Sequence, residues 1–379
     1  MKYLKIHDLL RDLCLREAEK ERFYHVVGQH NPLGSSIQRR VVIPRNTSEK
    51  EGLDAMRSTP HVRSYLSDYE RVLLLPDLRL LRTFRAYDKF SHPKNGHEYS
   101  LRELFELVNL RFLAICHKKG SQLPSSINHL WCLQTLILHP LPILRSKSSE
   151  NKYVPVEIWN MSQLRHVDFY VYGWHSGGGL HLPDPPSDNI VIMENLQTLK
   201  GVINFKCDEM MVRRIPNIKK LGLFFIIPKG IDSGDDEDYC LHNVERLQKL
   251  ESLSCKGHGE GQFPSLKYLK LVSCSGLEWW MTESSHFPCL EHLSLYMVSL
   301  KEFPSELGEI PTLKSVRMHH CNEELVISAR RMVAEQEELQ GEEEISFKVS
   351  VILSESYDED HFLMTLANRN FKVEIERYS

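Results

Sequence analysis

The chain of 379 residues lacks the short signatures of the common enzyme and switch classes. It contains no G-x-S-x-G, H-E-x-x-H or G-x-G-x-x-G. That leaves no nucleophile elbow, zinc-protease helix or dinucleotide turn to build on. It also has no G-x-x-x-x-G-K-[ST] loop, so the backbone cradle and lysine that hold nucleotide phosphates are missing. The nine cysteines stand singly, with no C-x-x-C pair, which argues against a zinc site or a disulfide framework and for reduced thiols in an intracellular protein. No secretory apolar segment opens the chain. No apolar run approaches the roughly 18 residues a membrane helix needs. The longest, Leu221 to Ile227, has the length of a buried strand. Charge of one sign is not in excess either: 47 Lys and Arg face 51 Asp and Glu, net −4. The overall balance therefore gives no reason to expect nucleic acid or an anionic membrane.

What the chain does have is a repeat. Leu313-Lys-Ser-Val316-Arg-Met318 shows the skeleton: an apolar residue, two variable ones, an apolar residue, one variable, and a third apolar residue. It recurs at Leu110/Leu113/Ile115, Leu133/Leu136/Leu138, Leu164/Val167/Phe169, Ile218/Leu221/Leu223, Leu250/Leu253/Cys255, Leu266/Leu269/Leu271 and Leu290/Leu293/Leu295. Val62-Arg-Ser-Tyr65 and Leu81-Arg-Thr-Phe84-Arg-Ala86 are earlier examples, and Leu196/Leu199 fits with Gly201 in the third place. Successive starts lie 16 to 32 residues apart, bracketing the 20 to 29 residues of a leucine-rich repeat. Alternate residues of each short strand point to opposite sides. One strand cannot bury its apolar side alone, whereas stacked neighbours make a parallel sheet with a continuous core. The expected fold class is thus α/β: a leucine-rich-repeat solenoid with helical, 3-10 or irregular return segments.

The returns carry their own signature. In Leu123-Pro-Ser-Ser-Ile127, Val154-Pro-Val-Glu-Ile158 and Phe303-Pro-Ser-Glu-Leu307, proline enters a turn where no amide donor is needed. Cys274 and Cys321 each fall three residues after a strand's last apolar position, which suits small buried turn residues. Residues 140–153, 170–186 and 228–239 break the rhythm and are expected to project as loops. The acidic run Asp235 to Asp238 lacks calcium-loop spacing and is expected to be a solvated loop.

The division expected is 1–25 a helical segment, 26–59 a linker or first cap, 60–325 the repeats, and 326–379 a helix-and-strand tail that caps the stack. Val41 to Ile43 suits a short strand. Asn46-Thr-Ser-Glu-Lys-Glu suits a turn or capping box into a short helix. In the tail, residues 328–340 favour helix, 342–353 and 371–378 alternate like strands, and 358–368 is a possible helix.

Ile6-His7-Asp8-Leu9-Leu10, ahead of these irregular repeats with cysteine at the turn, resembles the MHD motif of plant nucleotide-binding, leucine-rich-repeat immune receptors. Cys14-Leu-Arg-Glu-Ala18 is similar to the coiled-coil class. Ser328-Ala-Arg-Arg331 leading into Gln336 to Gln340 looks like the late-blight-resistance group. The resemblance covers roughly residues 1 to 340, with Ile6 where the motif has methionine, and residues 1–25 correspond to a remnant of its winged-helix segment. It implies that His7 matches the histidine sensing the nucleotide's phosphate and Asp8 its neighbour, in a receptor held off by ADP and active with ATP. Without the phosphate loop, this chain is expected to use no cofactor. The resemblance also implies a cytoplasmic module that recognises a pathogen effector or a guarded host protein and restrains the receptor's nucleotide-binding core.

The partner-binding residues expected are the variable strand positions. They are Arg165, His166, Asp168 and Tyr170, then Lys267, Tyr268 and Lys270, then Glu291, His292, Ser294 and Tyr296, then Lys314, Arg317 and His319. Trp279 and Trp280 on a nearby return join them, because aromatic and arginine side chains anchor interfaces. His319-His320 beside Cys321 and Glu323 is expected to be surface and turn rather than a metal site. The competing reading is a free-standing repeat scaffold unrelated to immunity, for which a regular 23-residue spacing is expected.

Overall fold

A computed structural model describes residues 24–28, 38–44, 47–67, 78–86, 101–117, 123–140, 154–169, 180–186, 191–225, 239–255, 262–274, 278–341, 345–354 and 362–376, with six further positions from Leu13 to Glu21. The chain falls into two units, Met1–Asn195 and Leu196–Ser379.

In the first unit the strands are β1 His25–Val26, β2 Arg40–Ile43, β3 Ser64–Ser67, β4 Thr83–Ala86, β5 Phe112–His117, β6 Thr135–Pro140 and β7 His166–Phe169. Each pairs in parallel with the next. The register matches repeat to repeat: Tyr65 lies opposite Phe84, Phe84 opposite Leu113, Leu113 opposite Leu136 and Leu136 opposite Val167. All five are fully buried or nearly so, and the Tyr65 and Phe84 rings stack with centroids 4.8 Å apart. The apolar spacing seen in the sequence is therefore the core column itself.

The second unit continues the pattern with β8 Thr198–Ile203, β9 Lys220–Phe224, β10 Ser252–Cys255, β11 Tyr268–Val272, β12 His292–Tyr296, β13 Ser315–His319, β14 Lys348–Leu353 and β15 Phe371–Ile375, again parallel in chain order. Its core column runs Leu221, Leu253, Leu269, Leu293, Val316, Val349, Phe371. Truncating one such leucine to alanine typically costs about 2–5 kcal/mol.

The returns are 3-10 turns where proline places them: Ser125–His129, Val156–Asn160 and Ser305–Glu309, each preceded by a proline in extended conformation. Helix α1, Glu49–Ser58, starts with a full capping box between Ser48 and Glu51. Helices α2 Leu101–Leu104 and α3 Glu209–Arg214 are short. Helix α4, Glu323–Gln340, is the longest among the described residues and buries Leu325, Val326, Ala329, Met332 and Val333. It begins five residues before the expected run.

Three features differ from the sequence reading. The stack is longer than residues 60–325, since β2 pairs with β3 and β14 and β15 extend the ladder beyond β13. Gly201 does not occupy the third core position. It sits in a bulge at φ +73°, and Val202 pairs with Leu223 in its place. An inserted glycine in the left-handed region is the usual way to shift register by one residue. The helix considered at 358–368 is a 3-10 turn at Phe362–Leu366. At the chain start, Leu13, Cys14, Arg16, Glu17 and Lys20 are helical. His7, Asp8, Tyr170, the acidic run 235–238 and most of the three expected loops lie outside the described residues.

Strand ends in the second unit share one corner. Asn204, Ser273, Met297 and His320 all have φ of 50–52°. Each donates its amide to a carbonyl at or next to the end of the neighbouring strand: Phe224, Tyr296, His319 and Ile352, at 2.8–2.9 Å. Cys274 and Cys321 follow two of these corners and turn inward. The Cys321 thiol donates to the carbonyls of Leu295 and His319, and burial pushes it up to about 11. It is a structural residue with little thiolate at neutral pH.

Candidate protein-recognition face

The outward side of β11 to β13 is made by alternate residues of each strand, because the intervening leucine, valine and methionine residues are committed to the core. Strand register lines them up. Tyr268, His292 and Ser315 form one row, Lys270, Ser294 and Arg317 the next, and Tyr296 and His319 the third.

The rows are joined through rings. Tyr268 stacks on His292 with centroids 4.8 Å apart and planes at 24°, and His292 Nδ1 lies 2.8 Å from Ser315 Oγ. The Lys270 ammonium stands 5.8 Å from the centre of the Tyr296 ring, a cation–π distance. Tyr296 also packs against His319 at 6.0 Å and edge-on against His320 at 5.7 Å. His320 Nε2 reaches Glu376 Oε2 at 2.8 Å.

This density of rings and cations has an electrostatic consequence. Burial lowers Lys270 to about 8. His319 is held below its usual value, first by burial, then by Lys270 and His320, with Glu376 acting in the opposite direction. Desolvation disfavours the charged form in both cases. Arg317, exposed in the middle row on β13, carries the permanent charge of a guanidinium. The face thus combines aromatic area, one permanent cation and two groups whose charge depends on their surroundings.

The expected binding residues divide accordingly. Tyr268, Lys270, His292, Tyr296, Arg317 and His319 come together in the second unit. Trp279 is 57% exposed, with Lys301 Nζ 5.7 Å from its ring, but it stands on a return rather than on a strand. Trp280 is only 8% exposed and packs edge-on against Phe287. It is a core residue and no part of a binding face. Arg165 and His166 are exposed on the first unit, at the start of β7.

Lys267, Glu291 and Lys314, also expected here, belong to a different line: the residue just before each strand. There the charges alternate and pair, with Lys219 3.5 Å from Glu251 and Lys314 2.6 Å from Glu291. No group of three metal-ligating side chains occurs among the described residues. Cys321 and Glu323 leave the neighbouring histidines without a shared metal geometry. Among the described residues, no helix is long and apolar enough to cross a membrane.

A family model described as a leucine-rich repeat region matches residues 61–353. The chain belongs to that family. Among curated proteins it is similar to the putative late blight resistance protein homolog R1B-16 of Solanum demissum, 25% identical with 95% of this chain and 31% of the relative covered. It is similar to homolog R1B-23 of the same species, at 24% with 93% and 32% covered. Late blight resistance protein R1-A, also from Solanum demissum, is 25% identical with 93% and 31% covered. The chain therefore spans about a third of the length of these plant disease-resistance relatives. A solved leucine-rich-repeat protein of Leptospira interrogans, LIC12759, aligns at a TM-score of 0.35 and 15% identity, with 91% of this chain and 97% of that one covered. The fold rests on the strands and the family match.

Proposed function

We propose that the chain is a non-enzymatic protein-recognition module of a plant disease-resistance protein. Its reading surface is the β11–β13 face. The partner is a pathogen effector or a host protein that effectors modify, and the setting is the cytoplasm. The observation that carries this is the convergence of Tyr268, Lys270, His292, Tyr296, Arg317 and His319 on the outward side of three adjacent strands, with aromatic stacking and an exposed arginine among them. Rigid aromatic area around an arginine is the composition of interface hot spots. The similarity to late blight resistance proteins supplies the biological setting.

In such a protein the same module would restrain a nucleotide-binding core. His7 and Asp8 would matter only there, because the phosphate loop is missing from this sequence. Purified chain is expected to bind no ADP by calorimetry; measurable binding would make it a nucleotide switch instead.

The test of the recognition face is a two-hybrid screen of secreted pathogen proteins and leaf proteins against the wild-type chain. Hits are then retested against Tyr268→Ala/Arg317→Glu, with Trp131→Ala, an exposed site in the first unit, as control. Hits lost only in the double variant support the face. A screen whose hits all survive it would refute the assignment.

A further inference from the structure

The residue just before the strand is charged in many repeats of both units, but the two units use it differently. Before β9 to β13 it alternates in sign: Lys219, Glu251, Lys267, Glu291, Lys314. Before β2 to β7 it reads Arg39, Arg63, Arg82, Arg111, Gln134, Arg165. The backbone aligns these residues. Arg63 donates its amide to the Arg39 carbonyl at 2.7 Å, Arg82 to Arg63 at 2.8 Å, and Arg111 to Arg82 at 2.7 Å. Neighbouring strands lie about 4.8 Å apart, so four guanidinium-bearing positions fall within about 15 Å.

Among the described residues, no carboxylate pairs with Arg39, Arg63, Arg82 or Arg111. Arg63 is held below its ordinary value, mainly by Arg39, then by burial and by Arg82. Like charges are thus kept together where an alternating column would relieve them. The arginines also enclose a cleft of about 340 Å³, lined by Arg39, Arg40, Arg63, Arg82, Arg111 and the hydroxyl residues Ser64 and Thr83. Among the described residues, every charged group in that lining is a cation.

We propose that the first unit carries a binding site for a compact, multiply phosphorylated small molecule, held by Arg39, Arg63, Arg82 and Arg111 across β2 to β5. Guanidinium groups bind phosphate oxygens in pairs, through two parallel hydrogen bonds. Ser64 and Thr83 add hydroxyl donors between them. The cleft has the size of a small-ligand pocket, roughly 300–1,000 Å³, and the arginine column is interrupted at Gln134. Both features fit a compact polyanion better than a long one lying across the whole unit.

The experiment is calorimetry of the full chain with inorganic tripolyphosphate. Saturable binding of one ligand per chain is expected, weakening as salt is raised. Arg63→Gln/Arg82→Gln is expected to weaken it at least about tenfold, whereas Lys314→Gln, in the paired column of the second unit, leaves it unchanged. The double variant is also expected to unfold at an equal or higher temperature, because it removes like-charge repulsion. If that variant fails to fold, Arg111→Gln alone must still weaken binding. Three results would each overturn the proposal: no binding of tripolyphosphate, equal binding by the arginine variants, or binding only of long polyanions such as heparin or RNA.

Discussion

Lys314 reaches across one strand to place its ammonium 2.6 Å from the Glu291 carboxylate. The pair closes a column in which Lys267 precedes Glu291 and Glu251 precedes Lys267. Lys314 lowers the Glu291 pKa chiefly through this hydrogen bond. Lys314 is 61% exposed, so solvent screens the attraction. Lys314→Ala is expected to cost little stability. Lys314→Glu, which sets two carboxylates side by side, should cost more than the alanine variant, by a margin that shrinks in high salt. Chemical denaturation at two salt concentrations measures both.

Lys270 gives the outward side of β11 to β13 a pH signature. Its folded value is about 8, against about 10.4 in an unfolded chain. The unfolded chain therefore binds more protons between those values, and stability rises with pH across that window. Below about 8 the cost of burying the charge is fully present. Lys270→Met should flatten the rise and stabilise the chain at neutral pH by about 1 kcal/mol or less, because solvent reaches part of the side chain. It should also let the His319 pKa climb, since Lys270 is the second cause holding it down. Thermal melts from pH 7 to 10.5 and NMR titration of His319 check these outcomes.

Gly308, in the 3-10 turn Ser305–Glu309, lies against helix α4. A Cβ built there would lie 2.7 Å from Met332 Sδ and 3.4 Å from Gln336 Cγ. Met332 is buried, so it has little room to retreat. Gly308→Ala is expected to destabilise the second unit by about 1–3 kcal/mol, as overpacking does. Pairing it with Met332→Ala should recover part of that loss. Urea unfolding of the three variants decides it.

The solenoid is plain in the sequence because the leucine spacing that marks a repeat is the same spacing that buries it. Leu293 and Val316 lie opposite each other in the core, as their phase requires. The proline-led turns are legible for an equally local reason. Spacing alone misplaces Gly201 because a bulge changes register by one residue, and only the neighbouring strand reveals which residue is skipped. Trp279 and Trp280 cannot be separated by sequence because a return segment has no period. Contact with Phe287 settles which ring is buried. The arginine column escapes a reading of single repeats, although Val62-Arg63, Leu81-Arg82 and Leu110-Arg111 stand in plain view. Within one repeat the position looks merely variable; stacking turns it into a line of like charge.

The β11–β13 face is proposed to read a protein partner. Its most direct test is the affinity of a partner found by the two-hybrid screen, measured by calorimetry for the wild-type chain and for Tyr268→Ala/Arg317→Glu, with both shown to be folded by circular dichroism. The double variant is predicted to bind at least about tenfold more weakly, as loss of two interface anchors requires. An unchanged affinity would contradict the account.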